Sequence, residues 1–167
     1  MSVLDHKIDF AAIISVTKAN PNGDPLNGNR PRQNYDGKGE MSDVCIKRKI
    51  RNRLQDMGDS IFVQSQDRTD DGFQSLRDRA DSNETLKKAL VDKKSKITSD
   101  EFASVACSEW TDVRSFGQVF AFKGSELSVG VRGPVSIQTA VSVDPVDVTS
   151  MQITKSVNST TSDTTGS

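Results

Sequence analysis

Residues 8–17 (IDFAAIISVT) form a continuous apolar run rich in β-branched side chains. A run without alternation predicts a central strand buried on both faces. Polarity then takes over. Residues 19–40 are rich in Asn, Gly and Pro, with Leu26 and Tyr35 as the large apolar exceptions. This predicts a long loop, and long loops in compact domains are usually functional. Over 42–57 the apolar period changes, and Ile46, Ile50, Leu54 and Met57 fall on one face of a helix. Ser42 supplies its N-cap, Asp43 suits the first turn and Gly58 ends it. Residues 61–66 predict a short strand. Between 67 and 101, eight Lys or Arg stand against nine Asp or Glu, and Phe73 is the single aromatic residue. Residues 83–93 look helical there, with Leu86, Leu90 and Val91 as a thin apolar edge, so the stretch reads as an inserted, solvent-facing helical subdomain. A better helix follows over 99–113, with Phe102, Ala106, Trp110 and Val113 on one face. Strand-like alternation marks 127–131, 134–143 and 151–157, whereas the Ser/Thr/Gly run 158–167 cannot bury enough surface to fold alone. The order strand, basic helix, variable insertion, helix, strand, strand predicts an α+β sandwich of the ferredoxin-like or RRM kind with an insertion.

Composition narrows the class. The 167 residues are enough for one domain with a core, but only 34% are hydrophobic and 27% are charged, which fits long polar insertions around a modest core. The net charge of -1 predicts neither nucleic-acid nor membrane binding from bulk charge. No apolar run approaches the roughly 20 residues of a spanning helix, and residues 1–10 lack a signal-peptide core. Cys45 and Cys107 are too far apart for a zinc set or a disulfide framework and read as reduced core thiols. A cytoplasmic protein without a membrane partner is expected.

The average charge hides a gradient. Between Arg30 and Arg53 lie eight basic residues against three acidic ones. Lys47 and Arg51 are four apart and therefore neighbours on the helix, with Arg48 beside them. If the apolar face binds the core, these cations point outward together and can track a phosphate backbone; the plainer alternative is an ordinary solvated face. In the loop before the helix, Asn20, Asn22, Asn27 and Asn29 offer amides, Gly23 and Gly28 permit close backbone approach, and Arg30 and Arg32 sit where the chain returns to the helix. This chemistry suits RNA phosphates and 2′-hydroxyls, although Asn-Pro and Asn-Gly pairs also serve simple turns.

Three segments carry a resemblance to a known family: ANPNGDPLNGNRPRQNYDGKGEMSDVCIKRKIRNRL at 19–54, TDVRSFGQVFAF at 111–122 and GPVSIQTAVSVDPVDVTSMQITKSVN at 133–158. Together they resemble the backbone subunit of the type I-C CRISPR Cascade complex, the Cas-seven family of the RAMP superfamily. The resemblance implies an RRM-like palm with an inserted helical finger and a thumb. Residues 1–60 would supply the first strand, RNA-binding loop and basic helix of the palm. Residues 61–101 would be the finger, 102–157 the remainder of the palm and 158–167 the flexible start of the thumb. Family members continue well beyond this endpoint, so a C-terminally truncated chain is expected. Several copies of such a subunit polymerise along one guide crRNA as a helical filament with other Cascade subunits, and the exposed bases pair with target DNA in antiviral defence. The protein supplies geometry and base pairing supplies specificity, as in other RNA-guided effectors.

Carried over residue by residue, guide contacts fall on Lys47, Arg48 and Arg51 of the helix and around Asn22, Asn27, Arg30 and Arg32 of the loop. Arg114 becomes a candidate for RNA or a neighbouring subunit, oriented through an ion pair with Asp112, with Gly117 permitting close approach; a purely structural Asp112–Arg114 pair is the alternative. Gln138, Thr154 and Lys155 would reach guide phosphates or sugars from the palm, or would simply be exposed strand residues. Backbone clamping rather than base stacking is expected, because aromatic residues make up only 5% of the chain.

No enzymatic role, cofactor or metal is expected. The rival readings are a metal-dependent endoribonuclease of the same superfamily, for which Asp24 and Asp36 are the loop carboxylates, and a generic RNA-binding regulator. A lone loop aspartate is usually a turn residue, His6 is the sole histidine with no placed partner, and no P-loop appears.

Overall fold

A computed structural model describes residues 4–92, 95–125 and 127–157. The elements in order are β1 (Gly23–Asp24), β2 (Arg30–Pro31), β3 (Lys38–Met41), α1 (Asp43–Asp56), α2 (Leu76–Asp81), α3 (Glu84–Val91), α4 (Ser99–Glu109), α5 (Thr111–Phe116), β4 (Gly117–Phe120), β5 (Val129–Arg132) and β6 (Ala140–Pro145), with short 3-10 turns at Pro25–Asn27 and Gln66–Arg68. The mixture is α+β. Among the described residues the strands form three two-stranded sheets, β1 with β2, β3 with β6 and β4 with β5. The thumb assigned to 158–167 lies outside the described residues. No described helix is long and apolar enough to cross a membrane.

The chain divides into two compact units, one of residues 1–40 with 141–167 and one of residues 41–140. In the first unit β1 and β2 pair antiparallel, with Gly23 opposite Pro31 and Asp24 opposite Arg30. The expected loop is therefore a pair of short hairpins. The apolar run 8–17 does not form the expected buried strand. Among the described residues no strand takes it as a neighbour, and Ile13 is 99% exposed. A strand requires a ladder partner for its backbone groups as well as a suitable composition. Residues 151–157 likewise stay outside any strand, and Met151, Ile153 and Val157 are exposed.

The second unit holds the core. Phe62, Ala80, Leu86, Ala89, Leu90, Phe102, Ala106, Trp110, Val113, Phe120 and Val129 form one buried cluster. Ring centroids of Phe62 lie 4.6 Å from Trp110 and 5.0 Å from Phe120, and Phe102 meets Phe120 edge-on at 5.1 Å. Such tilted and edge contacts add to the area term. Within the charged stretch, where the pattern predicts a helix over 83–93, α3 forms over Glu84–Val91. Its thin edge, Leu86 and Leu90, is fully buried within this cluster, while Val91 is exposed. Arg79 is buried with it and donates to Asp71 at 2.5 and 2.9 Å and to the Phe62 carbonyl at 2.9 Å. That guanidinium holds the Asp71 carboxyl below the usual carboxylate range.

The helix expected over 99–113 is broken at Trp110, whose φ of -124° and ψ of 122° are extended. The reason lies in the next residue. The Thr111 amide donates to the Ser60 carbonyl at 3.0 Å instead of continuing α4, and the Thr111 hydroxyl donates to Asp59 at 3.1 Å. The strand expected at 61–66 is also absent. The Phe62 and Val63 amides donate to the two carboxylate oxygens of Asp112, at 2.7 and 3.1 Å, so they are unavailable to a ladder.

Candidate nucleic-acid interface

In the first unit the Asn/Gly-rich segment is tightly organised. Asp24 caps the 3-10 turn, its Oδ1 accepting from the Leu26 amide at 3.0 Å. The left-handed residues Gly28 (φ 58°) and Asn29 (φ 59°) return the chain, and the Asn29 amide donates to the Asp24 carbonyl at 2.8 Å. Asn20 Nδ2 donates to the Asn29 carbonyl at 2.7 Å, and Asn22 Nδ2 to the Gly23 carbonyl at 3.2 Å. Asn20, Asn22 and Asn29 thus help build turns, whereas Asn27 is exposed on the 3-10 turn. The Gly23 Cα faces the Asn29 side chain so closely that a Cβ would strike it. Arg30 and Arg32 are exposed, and neither guanidinium makes an ion pair among the described residues. A rigid turn bearing unpaired cations can meet a phosphate at little ordering cost. Thr154 and Lys155 are also exposed in this unit, outside any strand.

In the second unit α1 begins as its sequence predicts, with the Ser42 hydroxyl accepting from the Cys45 amide at 3.3 Å. Its cations do not all point outward. Lys47 pairs with Asp43 at 3.1 Å and its side chain is 24% exposed. Arg51 Nε donates to Asp112 at 2.9 Å, and the Arg51 side chain is 13% exposed. Its guanidinium carbon lies 5.1 Å from the Phe116 ring centroid. Arg48 is half-buried and reaches Asn52 at 3.4 Å; burial and then the Arg51 charge lower its pKa, against Asp112 and Asp67. No residue of α1 is fully buried. Polar ties therefore help hold the helix: Arg51 to Asp112, Asp56 to Arg68, and Gln55 to the Arg68 carbonyl and Asp70 at 2.7 Å each. The exposed cations of α1 are Lys49 and Arg53, which belong to the basic segment but are not among the contacts singled out from it. Their signal is one of angle: the exposed side is set by where Arg51 finds its carboxylate.

The expected Asp112–Arg114 pair does not form. Both residues lie in α5, two apart, and such positions point to different sides of a helix. Asp112 turns inward to Arg51, and Arg114 is exposed. Gly117 does permit a close approach, but to its own chain at β5. Gln138 is exposed in this unit. Cys45 and Cys107 are both half-buried, and burial raises the Cys107 pKa. Arg48 and Arg51 are thus gathered around Asp112, Arg30 and Arg32 share one hairpin segment, and Gln138, Thr154 and Lys155 join neither group through a described bond.

A family model described as CRISPR-associated protein Cas7 matches residues 6–167. A curated relative, CRISPR-associated protein Cas7 of Haloferax volcanii, is 32% identical over 129 residues, which cover 72% of this chain and 34% of the relative. The chain spans about a third of that relative's length.

Proposed function

The chain belongs to the family of CRISPR-associated protein Cas7, and from that premise we propose that it serves as a guide-RNA-binding backbone subunit of a type I-C Cascade surveillance complex in the cytoplasm. In this reading several copies line one crRNA as a filament, together with other Cascade subunits, and present its bases to target DNA. The match over 6–167 carries the reading. The ordered hairpin that holds Arg30 and Arg32 out to solvent is compatible with it, because phosphate contacts need cations that are not already neutralised. We read the α+β elements as those of an RRM-like palm in which 61–101 is the finger. We read the chain as a scaffold and not an enzyme: the loop carboxylate Asp24 is engaged in capping its own turn.

Co-expression of the full chain with a CRISPR array, purification and sequencing of the bound RNA tests this. Processed guide RNA enriched in a multi-copy particle is expected. An RNA-free monomer, or indifference to guide sequence with unrelated RNA bound equally, would overturn the backbone role.

The hairpin cations make a separate prediction. Arg30→Ala with Arg32→Ala weakens binding of single-stranded RNA, and the slope of log K against log salt becomes shallower by about 1.4, since each lost contact removes about 0.7. The melting temperature stays at the wild-type value, because both side chains are exposed. An unchanged slope in anisotropy titrations across several salt concentrations would remove this hairpin from the interface.

A further inference from the structure

We infer that Tyr35 is a stacking platform for one base of single-stranded RNA, an inference that rests on the RNA-binding reading above and adds a mode of contact that aromatic content alone argues against. Tyr35 is the chain's sole tyrosine and the most exposed large apolar side chain among the described residues. By contrast Phe62, Phe102, Trp110, Phe120 and Phe122 pack on one another, and Phe116 lies beneath Arg51.

The turn that carries Tyr35 is fixed from several directions. The Asn34 amide donates to the Lys38 carbonyl at 2.9 Å and the Gly37 amide to the Asn34 carbonyl at 3.1 Å. Asn34 Oδ1 accepts from the amides of Asp36 and Lys38, at 3.0 and 2.9 Å. Gly37 has a φ of 73°, which favours glycine. Gln33 Nε2 donates to the Gly37 carbonyl at 3.2 Å and the Val146 carbonyl at 2.7 Å, and the Val146 amide donates back to Gly37 at 2.9 Å. The backbone under the ring is thus set in advance, and a tyrosine loses little side-chain freedom on binding.

The surroundings select the ligand class. An anchor for a protein partner sits among neighbours that shut out water. Tyr35 instead has Gln33, Asn34, Asp36, Gly37 and Lys38 about it in sequence, all polar or small, with Val146 as the apolar residue bonded to the same turn. A nucleobase needs no apolar surround, since its π-face and the ring cover each other, and its phosphates need nearby cations. Arg30 in β2 and Arg32 just past it, both exposed, are the cations that precede the turn. Asp36, next in sequence, carries a charge that disfavours a phosphate beside it.

The test is anisotropy titration of the full chain with a labelled single-stranded RNA of mixed sequence and with the same RNA carrying abasic positions, for wild type, Tyr35→Phe and Tyr35→Ala, at several salt concentrations. Stacking of one base corresponds to about a 5- to 150-fold loss for Tyr35→Ala. Tyr35→Phe should bind as wild type does, and the salt slope should not change, because no cation is removed. On abasic RNA the wild type and Tyr35→Ala should bind alike. Equal affinity of wild type and Tyr35→Ala for intact RNA would overturn the inference while leaving the RNA-binding reading in place. A loss that persists equally on abasic RNA, or a change confined to self-association, would also overturn it. Absence of salt-dependent binding by the wild type itself would overturn both.

Discussion

Gly117→Ala and Gly133→Ala are each expected to lower the melting temperature by more than about 10 °C, or to leave no folded chain to melt. The two glycines occupy the junction where α5 runs into β4 and β5 departs. Gly117 has φ 78° and ψ 170°, a region essentially restricted to glycine and worth about 1–3 kcal/mol of strain for other residues. Sterics add to this. A Cβ on Gly117 would strike the Val131 carbonyl oxygen and lie 2.7 Å from the Gly133 nitrogen. One on Gly133 would strike the Ser115 carbonyl and lie 2.5 Å from the Gly117 nitrogen. All these neighbours are backbone, so no side chain can swing aside. The backbone cannot shift cheaply either. Gly117 is opposite Arg132 in a four-residue antiparallel ladder that ends at Phe120 opposite Val129, and the Val135 amide is tied to the Ser115 carbonyl at 2.9 Å. Moving the junction would drag Phe120 and Val129 out of the core. With strain and clash together above about 3 kcal/mol, and about 4–8 °C lost per kcal/mol in a unit of this size, the fall exceeds 10 °C. Gly130→Ala is the control, because a Cβ there meets nothing within 4 Å. Thermal unfolding followed by circular dichroism and by the buried Trp110 decides the matter: a Gly117→Ala melt coincident with that of Gly130→Ala would show that the junction is not tight.

That junction shows what kind of information the sequence carries openly. Local chemistry is readable. Ser42 caps α1, and Asn83 opens α3 by accepting from the Thr85 and Leu86 amides at 3.1 and 3.3 Å, because capping depends only on residues two or three along the chain. The apolar face of 99–113 is also readable, and Phe102, Ala106, Trp110 and Val113 are all buried. What the pattern conceals is competition for backbone groups by distant partners. Thr111 gives its amide to Ser60, which breaks a helix that periodicity runs through. Asp112 takes two amides that a strand at 61–66 requires. The run at 8–17 shows the converse, since a strand-forming composition without a ladder neighbour remains unpaired. For the candidate interface, the hairpin arginines are legible as exposed cations. The helix cations are not, because charge content does not reveal which of them a buried carboxylate draws inward.

Asp112→Ala is accordingly expected to destabilise the second unit by about 3–5 kcal/mol, the range for breaking one side of a buried ion pair. Asp112 is 1% exposed and serves three donors, the amides of Phe62 and Val63 and Nε of Arg51. These partners lie 50, 49 and 61 residues away in sequence, so the side chain fastens α1 and the Phe62 segment to α5 at one point. Its loss leaves two amides and a mostly buried guanidinium without their acceptor, and each unpaired group costs on the order of 1–3 kcal/mol. Asp112→Asn keeps one oxygen for Phe62 but turns an NH2 toward Val63 and Arg51, and so falls between wild type and alanine. Arg51→Ala removes the same ion pair from the other side and uncovers Phe116. Because the two residues share one bond, the double variant should be markedly less destabilised than the sum of the singles; strict additivity in urea titrations would refute the coupling. The cycle also separates stability from recognition on α1. If Arg51 acts through Asp112, Arg51→Ala lowers the melting temperature and leaves the salt slope of RNA binding unchanged. Lys49→Ala with Arg53→Ala should do the reverse if the outward face of the helix meets phosphate. A lower salt slope in Arg51→Ala at unchanged stability would return Arg51 to the interface and take Asp112 out of its role as the fastening point.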